Sequence, residues 1–272
     1  MSDSCAVIAG AGRFPFHVAH EAKRQGLQVV GLGITGWVDP SLAGSVDAYE
    51  EVSVGQVGQL VKRLKAHQIQ QAVMAGKVTK GVLLDPRIRF DLEALAILGQ
   101  LREFSVNGLL VAIAKRLAKD GITLLDSSTF LKSYLCPPGP VTTRRPTAQE
   151  DEDIRTGVRM AQQMAALDVG QTVVVKGGVI LAVEALEGTD EAIRRGARLG
   201  GPGAVVVKMA GAKQDMRFDL PVLGLETIDV AAEAGVRCIA AEAHKTLLLD
   251  RPALVDSANA AGLALIGIEP AQ

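Results

Sequence analysis

Between positions 176 and 219 the chain sets charged and hydroxyl side chains against apolar runs. Glu184 and Glu187 close the run VILAVEAL at 179–186, Thr189 and Asp190 follow directly, and Lys208 ends the apolar stretch 204–207. The segment KQDMRFD at 213–219 then supplies Asp215, Arg217 and Asp219 ahead of Pro221. Hydrolysis of a phosphoanhydride needs cationic groups for the phosphate oxygens, hard carboxylates for Mg²⁺ or Mn²⁺, and a group that orients water. This cluster holds all these residue types, although solvated strand ends and surface ion pairs account for the same residues one at a time.

A second candidate lies at the start of the chain. Gly10-Ala11-Gly12-Arg13-Phe14-Pro15 follows an apolar run and precedes a helical pattern, the place where α/β folds present backbone N–H groups and a helix dipole to an anion. As a dinucleotide fingerprint it is incomplete, since Pro15 stands where the third glycine belongs. The next apolar run ends in Gly31-Leu32-Gly33, with no acid for a ribose. A nucleotide or sugar-phosphate site and a plain tight turn both fit Gly10 and Gly12. Gly76-Lys77-Val78-Thr79-Lys80 also follows an apolar run; it lacks the first glycine and the hydroxyl residue of a P-loop, but Lys77 can neutralise a pyrophosphate. The four histidines and three cysteines show no metal-ligand spacing, and no GxSxG nucleophile motif occurs.

The elements that must position these groups alternate. Residues 5–10, 28–34, 72–75 and 122–125 read as short buried strands, with helical patterns at 16–25, 56–67, 92–101 and 108–119 between them. This alternation predicts parallel βαβ units and a doubly wound, Rossmann-like domain over 1–133. The run CPPGPVTTRRP at 136–146, with four prolines and a glycine, predicts a linker at 134–149. A second, distinct α/β domain is predicted over 150–272. It begins with an acidic first turn at 150–153 and contains a hairpin around Lys176-Gly177-Gly178. Thr189 and Thr227 are placed to cap helices, and strands are expected at 205–207, 238–241, 246–249 and 263–268.

Composition narrows the partners. With 29 Lys and Arg against 30 Asp and Glu, and only six Phe, two Tyr and one Trp, the chain lacks the basic face and stacking rings of a nucleic-acid binder. Hydrophobic residues make up 48% of the chain, enough for a packed core. No apolar run approaches the roughly 18 residues of a membrane span, and the first residues lack the basic start of a signal peptide. Cytoplasmic location with reduced thiols is therefore expected, and the chain's size is compatible with a homodimer.

The segments IAGAGRFP, GKVTK, VEALEGTDEAIRR and QDMRFDLPVLGLETI, in this order, resemble the UDP-2,3-diacylglucosamine pyrophosphatase family of lipid A biosynthesis in Gram-negative bacteria, the LpxI type. The resemblance covers nearly the whole chain. It implies Mg²⁺-dependent cleavage of UDP-2,3-diacylglucosamine to UMP and 2,3-diacylglucosamine 1-phosphate (lipid X), by a Rossmann-like domain and a distinct α/β domain. Carried onto this chain, it implies Asp219 and Asp215 as catalytic carboxylates and metal ligands, with Glu187 beside them. Thr189 and Asp190 become pocket residues, and Lys208 or Arg217 neutralises phosphate; Gly10, Gly12 and Lys77, read from the glycine-rich segments, stand beside them as expected substrate contacts. A diacylated substrate further implies peripheral contact with the inner membrane, and the apolar stretches at 92–101 and 109–117 as candidates for acyl chains. Two other readings remain beside it: a non-catalytic binder of nucleotide sugar or lipid, and an NAD(P)-dependent oxidoreductase.

Overall fold

A computed structural model describes residues 3–78, 88–101, 106–211 and 215–269. Thr79 and Lys80 of the GKVTK segment, and Lys213 and Gln214 before Asp215, lie outside the described residues. The fold is mixed α/β and divides into two compact units: Met1–Leu131 with Asp215–Asp219, and Lys132–Gln214 with Leu220–Gln272.

The first unit is built on a five-stranded parallel sheet. Its elements run β1 (Ser4–Ala9), α1 (Phe14–Arg24), β2 (Gln28–Ile34), β3 (Ala48–Val52), α2 (Val57–Ala66), β4 (Gln71–Ala75), α3 (Leu92–Leu98), α4 (Val106–Lys119) and β5 (Thr123–Leu124). The strand order is β3-β2-β1-β4-β5 with every pair parallel. Residues Cys5 to Ala9 of β1 are all buried, as a continuous apolar run must be in a parallel sheet covered on both faces. Successive strands step outward through β2 and β3, and β4 then returns to the other side of β1. The order therefore reverses between β1 and β4, and ligands of open α/β sheets gather outside such a reversal.

Sequence periodicity located most of this unit but missed β3. Its residues AYEEV alternate no hydrophobic stripe, and all but Val52 stay partly or fully exposed because β3 is an edge strand. Helix α1 begins at Phe14, earlier than the predicted 16, because Pro15 is tolerated in the first turn where its missing N–H costs no hydrogen bond. In α3 the residues Ala94 and Ile97 pack with Val57, while Leu92 and Leu95 are exposed.

The second unit has a six-stranded mixed sheet. In chain order it contains β6 (Gly139–Pro140), α5 (Ala148–Ala166), β7 (Thr172–Lys176), β8 (Val179–Val183), α6 (Thr189–Gly200), β9 (Val205–Lys208), β10 (Val222–Leu223), α7 (Leu225–Glu233), β11 (Cys238–Glu242), β12 (Leu247–Leu248), α8 (Arg251–Ala260) and β13 (Ala264–Ile268). The main sheet has the order β6-β13-β11-β9-β7-β8; β9, β11 and β13 are parallel, while β6, β7 and β8 join antiparallel. The valine runs bury both faces. Val173, Val175, Val205 and Val207 pack with Ile154 and Ala161 of α5, while Val174 and Val206 pack with Ile193, Ile228 and Leu254 of α6, α7 and α8. Each such buried side chain contributes roughly 1.5–3 kcal/mol.

The proline-rich segment read as a linker is docked onto this unit. Pro140 faces Ile266 at the sheet edge, where a residue without an N–H is tolerated, and Leu265 donates its N–H to the Thr142 hydroxyl at 2.8 Å. Helix α5 begins with a capping box, Thr147 and Glu150 each accepting from the other's backbone N–H.

Candidate functional site

The two glycine-rich segments that the sequence presents separately are joined at the strand-order reversal. Gly10 N–H donates to the Ala75 carbonyl at 2.8 Å, and Ala11 and Lys77 exchange both backbone hydrogen bonds at 2.9 Å. The chains cross so closely that a Cβ on Gly10 would lie 2.8 Å from the Lys77 carbonyl oxygen. One on Gly76, whose φ is +93°, would lie 2.7 Å from the Ala11 oxygen. The donors of Gly10 and Ala11 are thus already used by backbone. What the loop offers an anion is Gly12, with open space beside it, and the N-terminus of α1, which carries no side-chain cap and no acid in its first turn. Arg13 sits at that terminus with its guanidinium over the Phe16 ring, 5.1 Å from the centroid. Lys77 is exposed at the crossing.

The carboxylates Asp215 and Asp219 belong to this same unit, although the chain on both sides of them belongs to the other. Residues 215–219 form a turn in which the N–H groups of Phe218 and Asp219 both donate to the Asp215 carbonyl, at 3.1 and 3.2 Å. Phe218 is partly buried and packs against the apolar core of the first unit. Arg217 forks the Asp215 carboxylate, donating from Nε to Oδ1 at 2.8 Å and from Nη2 to Oδ2 at 2.6 Å. Those bonds hold the Asp215 carboxyl below the usual carboxylate range and push the Arg217 guanidinium further up. Arg217 is therefore engaged with Asp215, where the sequence reading gave it to phosphate.

Ser127 is a residue beside the Asp215–Asp219 turn that sequence reasoning did not single out. It is 2% exposed and follows β5. Its N–H donates to the Met216 carbonyl at 2.9 Å. Its hydroxyl proton is shared between the carbonyls of Met74 and Arg217, each 2.8 Å away. The available signal was Asp126-Ser127-Ser128-Thr129 directly after a strand, where α/β sheets place their working residues.

The remaining predicted residues lie in the second unit. Lys208, 4% exposed at the end of β9, donates to the hydroxyls of Thr189 at 2.8 Å and Thr172 at 3.2 Å. Thr189 in turn donates to Glu184 Oε1 at 2.9 Å. A hydroxyl relay thus joins a buried ammonium to a half-buried carboxylate. Thr189 does not cap α6, since the cap position is Gly188 and the Thr189 hydroxyl is committed to this relay. Thr227 likewise is no cap; Gly224 holds that position in α7, and the Thr227 hydroxyl donates to Asp190 at 2.9 Å. Glu187 is exposed and paired with Arg195 at 2.6 Å. The structure thus brings Lys208 and Thr189 together, adds Thr172 and Glu184 to them, and leaves Asp190 and Glu187 with other partners.

Burial pushes the Glu184 carboxyl up, but Lys208 and the hydrogen bonds of Thr172, Thr189 and Gln171 outweigh it, so its net shift is downward. A carboxyl lowered by folding adds stability that is present above its unfolded value and lost as pH falls through the folded one. Lys208→Met, which leaves this carboxylate uncompensated, is expected to cost about 2–3 kcal/mol. Urea unfolding at pH 7 measures this. The deficit should shrink towards acid pH, where Glu184 is protonated; a midpoint equal to wild type at pH 7 would show that solvent, not Lys208, balances Glu184.

Among the described residues no three His, Cys, Asp or Glu side chains gather in a way that could hold a metal, and no helix is long and apolar enough to cross a membrane.

Comparison with known proteins places the whole chain. The family model of the LpxI N-terminal domain matches residues 4–134, and that of the LpxI C-terminal domain matches residues 137–266. The UDP-2,3-diacylglucosamine pyrophosphatase LpxI of Caulobacter vibrioides is 30% identical over 282 residues, covering 97% of each chain. Among solved structures, CobK precorrin-6A reductase aligns over 100% of this chain and 91% of its own at a TM-score of 0.30 and 12% identity, a likeness that carries no argument. On both family models and the end-to-end identity, this chain belongs to the LpxI family.

Proposed function

We propose that this protein is a UDP-2,3-diacylglucosamine pyrophosphatase that hydrolyses its substrate to UMP and 2,3-diacylglucosamine 1-phosphate in lipid A biosynthesis. The observation that carries this reading is the end-to-end match to a relative of that name. The geometry of the first unit supports it. As a Rossmann-like domain, this unit would receive a phosphate at Gly12 and the uncapped N-terminus of α1, with the exposed ammonium of Lys77 neutralising charge beside it. Asp219, in a turn fixed by backbone bonds and by Phe218, is the carboxylate we assign to orienting water and taking its proton. The water oxygen bonds to phosphorus as the P–O bond of the anhydride breaks and the other phosphate departs.

The carboxylates of Asp215 and Asp219 suit Mg²⁺ in one respect. That ion is commonly held by one or two carboxylates with water and substrate phosphate rather than by a full protein cage. Asp219 would hold it, with Asp215 contributing an oxygen while Arg217 keeps its charge negative. When bound, Mg²⁺ supplies charge neutralisation on the phosphate oxygens. The diacylated substrate brings the protein to the inner-membrane surface.

The test is turnover of UDP-2,3-diacylglucosamine in detergent with Mg²⁺ or with EDTA, reading both products by mass spectrometry. Products with Mg²⁺ and none with EDTA are expected. Products undiminished in EDTA would remove the metal, and no products from folded protein that binds the substrate would leave a binding protein instead.

A further inference from the structure

We propose that Ser127 is a positioning residue for the proposed hydrolysis, holding the Asp215–Asp219 turn in register with the Gly10–Gly76 crossing. The inference rests on the reading of Asp219 as the water-orienting carboxylate. The turn is a five-residue visitor in the first unit. Ser127 makes two hydrogen bonds to it: N–H to the Met216 carbonyl and hydroxyl to the Arg217 carbonyl. The same hydroxyl reaches the Met74 carbonyl in β4, three residues before Lys77. One buried side chain therefore touches both the carboxylate turn and the strand that leads into the Gly10–Gly76 crossing.

Ser127 is itself held firmly. Asp126 Oδ1 accepts from the Ser128 N–H at 2.8 Å and the Ser128 hydroxyl at 2.7 Å, and its carbonyl accepts from the Thr129 hydroxyl at 2.6 Å. The turn 126–129 is thus closed by its own side chains, and Leu125 N–H pairs with the Ala72 carbonyl to continue β5 beside β4. A rigid turn on a rigid strand is the support that a catalytic carboxylate needs, since displacements near 1 Å cost about 100-fold in rate. Removing the hydroxyl leaves the carbonyls of Met74 and Arg217 without this donor and frees the turn to drift, while Asp219 keeps its chemistry.

Ser127→Ala is expected to lower kcat for UDP-2,3-diacylglucosamine by about 10- to 100-fold with KM within about threefold of wild type. Amide hydrogen exchange over residues 215–219 should accelerate about tenfold. In the Asp219→Asn background the same substitution should cause almost no further loss of kcat, because a residue acting through Asp219 has nothing left to position. A kcat within twofold of wild type, or an equal loss in both backgrounds, would overturn the proposal. If the wild-type protein does not hydrolyse this substrate, the proposed function has failed instead. The exchange measurement then decides alone, with unchanged protection at 215–219 overturning the tether itself.

Discussion

Asp219→Asn is expected to lower kcat for the proposed hydrolysis by about 1000-fold, the scale of a lost general base. Asparagine fills the same volume and leaves the Phe218 and Asp219 N–H bonds to the Asp215 carbonyl in place. Phe218 remains packed against the apolar core and continues to anchor the turn. Rate should fall because a neutral amide neither takes a proton from water nor offers a hard anionic oxygen to Mg²⁺. Asp215→Asn provides the contrast. It breaks the bidentate contact with Arg217, so part of its effect is a released guanidinium and a loosened turn, read as a lower unfolding midpoint. Steady-state kinetics with UDP-2,3-diacylglucosamine and a thermal scan of both variants test the assignment. Asp219→Asn retaining kcat within tenfold would move the chemical role to another residue.

Gly76→Val should destabilise the protein by about 3 kcal/mol or more and weaken UMP binding at least tenfold. Two costs combine at this position. Its φ of +93° is strained for any residue with a Cβ, and that Cβ would meet backbone atoms of Gly10 and Ala11 at 2.7 Å. Backbone cannot rotate aside as a side-chain tip can, so the two loops must separate. Separation breaks the paired hydrogen bonds between Ala11 and Lys77 and shifts the N-terminus of α1, the proposed phosphate site of the first unit. For a chain of this size the loss corresponds to a midpoint lower by on the order of 10 °C. Gly44→Ala is the control, since a Cβ there meets nothing within 4 Å. Calorimetry and UMP titration would show the effect; a Gly76→Val protein with wild-type midpoint and affinity would mean that the crossing is not structurally required.

Much of this architecture was legible from residue order because the signals are local. Short β-branched valine runs such as 173–175 and 205–207 read as buried strands, and the acidic turn at 150–153 announces a helix start, which the structure moves two residues earlier to Ala148 behind the Thr147 cap. The weak signals were those whose partner lies elsewhere in the chain. Strand β3 has no apolar stripe, because an edge strand is defined by its neighbour β2 rather than by its own sequence. Thr189 and Thr227 carry a capping residue type, yet their hydroxyls serve Glu184 and Asp190. A buried or half-buried carboxylate gains more from a hydroxyl than a helix end does when water can satisfy that end.

The sequence alone thus determined the residue types, the strand-end glycines, the acidic and basic groups of 184–219 and the family resemblance, since each is a property of short contiguous segments. Only the tertiary structure decided how they combine. It joined Gly10 to Gly76, placed Asp215–Asp219 in the first unit, put Arg217 on Asp215, and turned Lys208 inward to Thr172 and Thr189. The physical reason is that hydrogen-bond and charge partners are chosen by proximity in space. Ser127 reaches partners 53 and 90 residues away in the chain, and no periodicity or spacing rule encodes such a pairing.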